Sequence, residues 1–303
     1  MEPVTRSISR EQWEIARGHH QSIVTVWVEG RLDRRSKGLK NPVEDFMFEY
    51  YPISPNKLKT WHPGAFTLLE DVTPDDEIIH SKTVEVTDQG LGMNWGWVSE
   101  SRPLIQRDLD LLKATVQRDP QHHCFGLHEW AMVLGSENRR HEDWPLRVSS
   151  QQIQKTIDEV GLRCTHFDAF RFFTDEAKPL NTLQLTRDSQ VNLEQPGCLH
   201  ANMDLYKLSH RWAPIVGSAT VRSCFRLARR IRTLDMQGAP YDLSAMDVTP
   251  IQLETAAGRA QFAKLQKRFS GEAQSLRRVI YKQLQSALEF SDSQFERILT
   301  NQH

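Results

Sequence analysis

Apolar positions spaced three and four apart mark both ends of this chain, while its middle is punctuated by glycine and proline. Trp13, Ala16, His20, Ile23, Val24 and Trp27 keep a helical interval behind Ser9 and Gln12, which have capping-box spacing, so a long first helix is expected to end near Gly38. The aromatic stretch 41–52 predicts a short helix, followed by an extended segment broken by Pro52, Pro55 and Pro63. Residues 66–101 read as short strands and turns, with Gly90, Gly92 and Gly96 set around Trp95 and Trp97. Leu104, Ile105, Leu109, Leu112 and Val116 predict a helix opened by Arg102 and Pro103 and stopped before Pro120.

The next segments carry less periodicity. Cys124 to Leu134 fits a buried strand or a helix and is read as a strand. Pro145 to Val148 and Arg163 to Phe173 also read as strands, flanking a helix that Ser149 and Gln152 cap and Gly161 stops. From Gln195 onward the pattern is helical, with helices expected over 199–212, 218–236 and 255–288. These elements predict an α+β fold with a small central sheet and a mostly helical C-terminal half. One domain is expected over 1–303, mixed α/β through 194 and helical from 195.

Composition narrows the class. With 39% hydrophobic and 25% charged residues, the chain has the balance of an ordinary globular protein. No apolar run approaches the roughly 18 residues of a membrane span, and Met1 to Arg10 lacks the apolar centre of a signal peptide. A cytoplasmic location and no membrane partner are the expectations. Four cysteines without compact disulfide spacing predict free thiols or metal ligands. The net charge of −1 conceals a polarity: residues 66–101 hold one base and eight acids, net −7, and residues 205–303 hold fifteen bases and eight acids, net +7. A basic face is the minimal electrostatic requirement for binding phosphates, although charge runs are more often solvated helix faces.

The densest chemistry lies between His122 and Asp204, which gathers histidines and three of the four cysteines. On a strand, Cys164, His166 and Asp168 would share one face. On a helix from Leu199, His200 and Asp204 would share another. The expected catalytic set is therefore Asp168, Glu129, His166, His200 and Asp204, with His141 a further addition. A single zinc or iron ion would draw on His128, His166, Asp168 and His200; without an ion, Asp168 or Glu129 would act as base or charge stabiliser. Tyr50, Tyr51, Trp61, Arg171 and Asn202 are expected around the substrate, the aromatic members as a wall for a flat ligand. Arg222, Arg226, Arg229 and Arg230 crowd one helix as a nucleic-acid face. Phosphate loops, dinucleotide fingerprints, the G-x-S-x-G elbow and H-E-x-x-H are all absent, which argues against ATP, NAD, serine-hydrolase and zincin chemistry.

Several long blocks carry a resemblance: NPVEDF at 41–46 through WHPG at 61–64, FGLHEWAMV at 125–133, RCTHFDAFRFF at 163–173, QPGCLHANMDLYK at 195–207 and PYDLS at 240–244. Together they resemble a bacterial family commonly labelled 3-methyladenine DNA glycosylase, over about residues 30–270. The resemblance implies an enzyme acting on a modified purine in DNA, RNA or a nucleoside-like small molecule. A flipped base would stack on aromatic walls while Asp168 or Glu129 stabilised the oxocarbenium or activated water. Two rival readings stand beside it: a zinc- or iron-dependent hydrolase or oxygenase acting on a small molecule, and a nucleic-acid-binding protein without chemistry.

Overall fold

The long helices form where apolar spacing is helical, and the ends of helices Arg10–Ser36, Arg102–Gln117 and Ser150–Val160 fall close to expectation, whereas the last helix runs to Thr300, past the expected end at 288. The structure is a computed structural model describing residues 5–135 and 143–300. A short strand β1 (Arg6–Ile8) leads into helix α1 (Arg10–Ser36), where the Gln12 side chain accepts from the Ser9 backbone N–H at 3.0 Å. Trp13, His20, Val24 and Val28 form its buried stripe. The prolines then confine helix to two short pieces, α2 (Phe46–Glu49) and α3 (Pro55–Lys59), the second capped by the Ser54 hydroxyl.

Strands β2 (Thr67–Leu69), β3 (Val84–Thr87) and β4 (Gly90–Met93) complete a four-stranded sheet of order β1-β2-β4-β3, in which only the β1–β2 pair is parallel. Gly90 adopts φ +128°, and a Cβ there would stand 2.5 Å from the Leu69 carbonyl, so the hairpin turn requires glycine. The sheet buries a small core of its own, Trp13, Leu69 and Leu91. Helices α4 (Trp95–Glu100) and α5 (Arg102–Gln117) follow.

Three expected strands do not form. The 124–134 segment turns at Phe125 (φ +44°) and Gly126 (φ +74°) into the short helix α6 (His128–Ala131). The 145–148 segment makes one bridge, Leu146 to Tyr241, before helix α7 (Ser150–Val160). Around Cys164 the reason is explicit. The Asn181 side chain accepts from the Cys164 N–H at 2.7 Å and donates to its carbonyl at 3.1 Å, supplying the bonds a neighbouring strand would have made. The chain stays extended only through His166 and then coils into α8 (Phe167–Phe170), so Cys164, His166 and Asp168 do not share a strand face.

After α9 (Gln190–Leu193) the chain is helical: α10 (Leu199–Arg211), α11 (Ala213–Gly238) and α12 (Ala256–Thr300). Gly217 kinks α11 at φ +77°, where its backbone packs on Pro63 and Gly64; a Cβ would stand 3.3 Å from the Pro63 carbonyl. Helices α10, α11 and α12 pack on one another, and α5 lies along α12. Tyr206, Phe225, Ile231, Phe262, Ile280 and Leu284 fill their shared core. Each such side chain contributes about 1.5–3 kcal/mol on burial. That core also takes Val24, Met47, Leu58 and Leu109, so the helical half is packed against residues of the mixed half. The fold is α+β, with a small mixed sheet and a helical C-terminal half. No described helix is long and apolar enough to cross a membrane.

Candidate active site

Three imidazoles stand in a row inside the helical core. His128 comes from α6, His200 from the first turn of α10, and His166 from the extended residue ahead of α8. His128 meets His200 edge-on with ring centroids 4.4 Å apart, and His166 stacks on His200 at 5.4 Å and 25°. All three are buried. A row of buried imidazoles is held only where charge compensates it, and each end of the row meets carboxylates.

At the first end, His128 Nε2 lies 2.7 Å from Asp235 Oδ1. The other Asp235 oxygen accepts from Arg232 at 2.8 Å, and the same guanidinium donates to Glu129 at 2.7 Å. Arg232 is fully buried, donates twice to the Pro42 carbonyl, and sits 3.9 Å from the Phe46 ring centroid. Burial pulls the His128 pKa down, but Asp235 outweighs it and the net shift is upward. Asp235 and Arg232 are three residues apart on α11, one turn that faces inward.

At the second end, His166 Nε2 lies 3.4 Å from Asp204 Oδ2 and 3.8 Å from Glu194 Oε2. The other Asp204 oxygen accepts from the Tyr51 hydroxyl at 2.8 Å. Burial lowers the His166 pKa, yet Asp204, Glu194 and Asp168 outweigh it and raise it overall. The two carboxylates are driven apart. Burial pushes Asp204 up, but the adjacent His166, the charge of Lys207 and the Tyr51 bond bring it below its usual value; Glu194, where burial prevails over His166 and the Gln190 amide, is raised. Two carboxyls set in opposite directions beside one imidazole are the arrangement of an acid and a base.

This end opens on a cavity of about 480 Å³. Asp204 and Glu194 line it together with Arg187, Lys207, Arg211 and Arg277. Arg277 is 1% exposed and donates to Asn202 Oδ1, the Ala201 carbonyl and Gln274 Oε1, none of them charged; burial lowers its pKa to about 10. The wall is mixed, with Asp108 and Asp188 beside the cations and Arg211 paired with Asp108 at 2.6 Å; Arg277, buried and bonded only to neutral groups, is the member that suits an anionic ligand.

The structure thus brings His166, His200 and Asp204 together, as expected, and sets His128 and Glu129 at the other end of the row. Asp168 stands beside this group with its carboxylate already matched by Arg187 at 2.9 Å, Arg171 at 3.6 Å and Lys207 at 3.7 Å. It organises cations and does not contact the imidazole row as a ligand. Tyr51 joins through Asp204, while Tyr50 stacks on Phe46 and faces the edges of Tyr51 and His200. Asn202 serves the cavity wall through Arg277 and donates to the Pro196 carbonyl.

Trp61 is not part of this site: it packs on the small sheet core and lines a separate cavity of about 570 Å³ with Trp13 and His62. Among the described residues no aromatic side chain lines the cavity beside Asp204, whose apolar wall comes from Leu111, Leu112, Val191, Leu205 and Leu208. The arginine helix is largely occupied as well. Arg222 bonds His20 Nδ1 at 2.9 Å, Arg229 pairs with Glu44 and Arg230 with Glu272, which leaves Arg226 exposed. His141 lies outside the described residues.

Sequence reasoning did not place Asp235, Glu194, Arg187, Arg232 or Arg277 at the site. The Arg232–Asp235 pair had one signal, an acid one turn beyond a base on the apolar side of α11; Glu194 and Arg277 had none. No protein-family model matches the chain, and neither a curated protein nor a solved structure matches it.

Proposed function

We propose that the chain is a hydrolase that uses general acid–base catalysis on an anionic substrate of nucleotide size, cleaving the bond between a modified purine and its sugar. The observation that carries this reading is the split pair of carboxyls, Glu194 raised and Asp204 lowered, beside His166 on a cavity whose wall carries the buried Arg277. Asp204, kept ionised by His166 and Tyr51, stabilises positive charge growing on the sugar or takes a proton from the attacking water. Glu194, whose carboxyl is raised by burial, donates to the departing base. Arg187, Lys207, Arg211 and Arg277 hold the phosphate. The purine lies against the leucine wall instead of stacking on tyrosine. A cavity of this volume takes one nucleotide, so a polymer substrate would present a single flipped unit. The resemblance in the 163–173 and 195–207 blocks supports the choice of bond, and those blocks contain His166, Asp168, His200 and Asp204.

The test is release of free base, followed by chromatography, from a panel of N-alkylated purine nucleosides, their 5′-monophosphates and an alkylated oligonucleotide. Release from the monophosphates well above that from the nucleosides is expected. Absence of release from every member, or release unchanged in Asp204→Asn, ends the proposal.

A further inference from the structure

We infer that His128, His200 and Asp235 bind one divalent transition-metal ion of the zinc or iron(II) class, at a site separate from the Asp204 cavity. One ligand atom from each residue lies within 4.8 Å of the other two, and all three residues are buried. They come from three elements, α6, α10 and α11, so the convergence is tertiary and not a by-product of helix periodicity. Two imidazoles and one carboxylate are the donor set that zinc and non-haem iron take, with positions left for water or substrate.

The surroundings supply what a metal ligand set needs beyond its donors. Arg232 holds the second Asp235 oxygen and so orients the carboxylate, while Glu129 answers the Arg232 charge at 2.7 Å and leaves the charge of Asp235 for the ion. A void of about 10 Å³, close to the size of one water, touches both His128 and His200. Its walls also include the free thiols of Cys124, Cys164 and Cys198. His200 adds a third donor to the His128–Asp235 pair, its ring edge-on to His128 at 4.4 Å. None of the three lines the cavity that holds Asp204 and Glu194.

The experiment is metal analysis of the purified full chain, then removal of metal with a chelator and titration of the apo protein with Co(II), read by its visible absorption, and with Zn(II) in competition. One ion per chain is expected, with Co(II) bands of a nitrogen–oxygen site. His200→Gln, checked for folding by circular dichroism, should weaken Zn(II) binding at least 100-fold, and Asp235→Asn comparably. Asp204→Asn should bind Zn(II) as the parent does. Failure of the parent chain to bind Zn(II), Co(II) or Fe(II), or equal binding by His200→Gln, overturns the inference. Base release by the parent chain tests the acid–base reading separately, so one can fail while the other stands.

Discussion

The two ends of the histidine row use the same residue types under opposite conditions. At the His128 end, Arg232, Asp235 and Glu129 are sealed in the core and satisfy one another; at the His166 end, Asp204 and Glu194 face a cavity. Sealing makes the first end a matter of stability and of what can be held there. Exposure makes the second end free to exchange protons with a ligand. The difference shows that a buried charge cluster becomes chemistry only where part of its coordination is left to the cavity.

The largest effect that would break this contrast is at Arg232. Arg232→Met leaves Asp235 and Glu129 buried without their cation, so a loss of about 3–5 kcal/mol in urea unfolding is expected. A loss within error of zero would mean that the sealed end contributes nothing to the fold. Next in size is Asp204→Asn, for which turnover should fall about 10²–10⁴-fold while the urea midpoint moves far less than for Arg232→Met. A large midpoint shift with intact turnover would reverse the assignment of the two ends.

The pH dependence sharpens the same division. Asp204 has a lowered pKa, so its contribution is complete above 3.8 and is lost as pH falls through the folded value. His166 has a raised pKa, so its pairing is complete below 6.5 and is lost as pH rises through the folded value. Glu194, raised above 4.5, loses its proton as pH rises through its folded value. Turnover should therefore show an acid limb below 3.8 and an alkaline limb starting above 4.5, and Glu194→Gln should flatten the alkaline limb. An unchanged alkaline limb in that variant would remove Glu194 from the acid role.

Smaller changes are expected at the cavity mouth. Arg187 is half-exposed, and Arg187→Ala should raise KM for a phosphorylated substrate about tenfold with kcat nearly kept, since it serves binding more than the reacting bond. Equal KM would place the phosphate elsewhere. Smallest of all is the arginine helix. Arg222→Ala should cost about 1 kcal/mol through its His20 bond, whereas Arg226→Ala should be silent in stability and turnover. If Arg226→Ala abolished binding of an oligonucleotide, that surface would regain the role its composition first implied.

Local signals located most of the scaffold. Ser9 with Gln12, Ser149 with Gln152, Pro103 and Gly161 marked helix ends because a cap acts within four residues of itself. The failures cluster at 124–134 and 163–173, where the apolar run is compatible with strand or helix and the deciding partner is distant. Asn181, seventeen residues beyond Cys164, replaces a strand neighbour with its side chain, and nothing near Cys164 announces it. The site shows the same division. His166, His200 and Asp204 were legible because they sit in a dense polar segment, and Asp204 is one helical turn from His200. Glu194 and Arg277 were not, because their raised and lowered pKa values arise from burial among residues up to 83 positions away.

What the sequence determined alone is the presence of the long helices α1, α5, α7, α10, α11 and α12, the α+β class, and the concentration of histidine and carboxylate between residues 122 and 204. These depend on interactions of short reach, apolar periodicity and capping, which are written locally. The tertiary structure decided which carboxyl ionises, which arginine is buried, and which imidazoles meet. Those properties come from desolvation and from charges approaching within a few ångströms, and only packing of α6, α10, α11 and α12 sets either one.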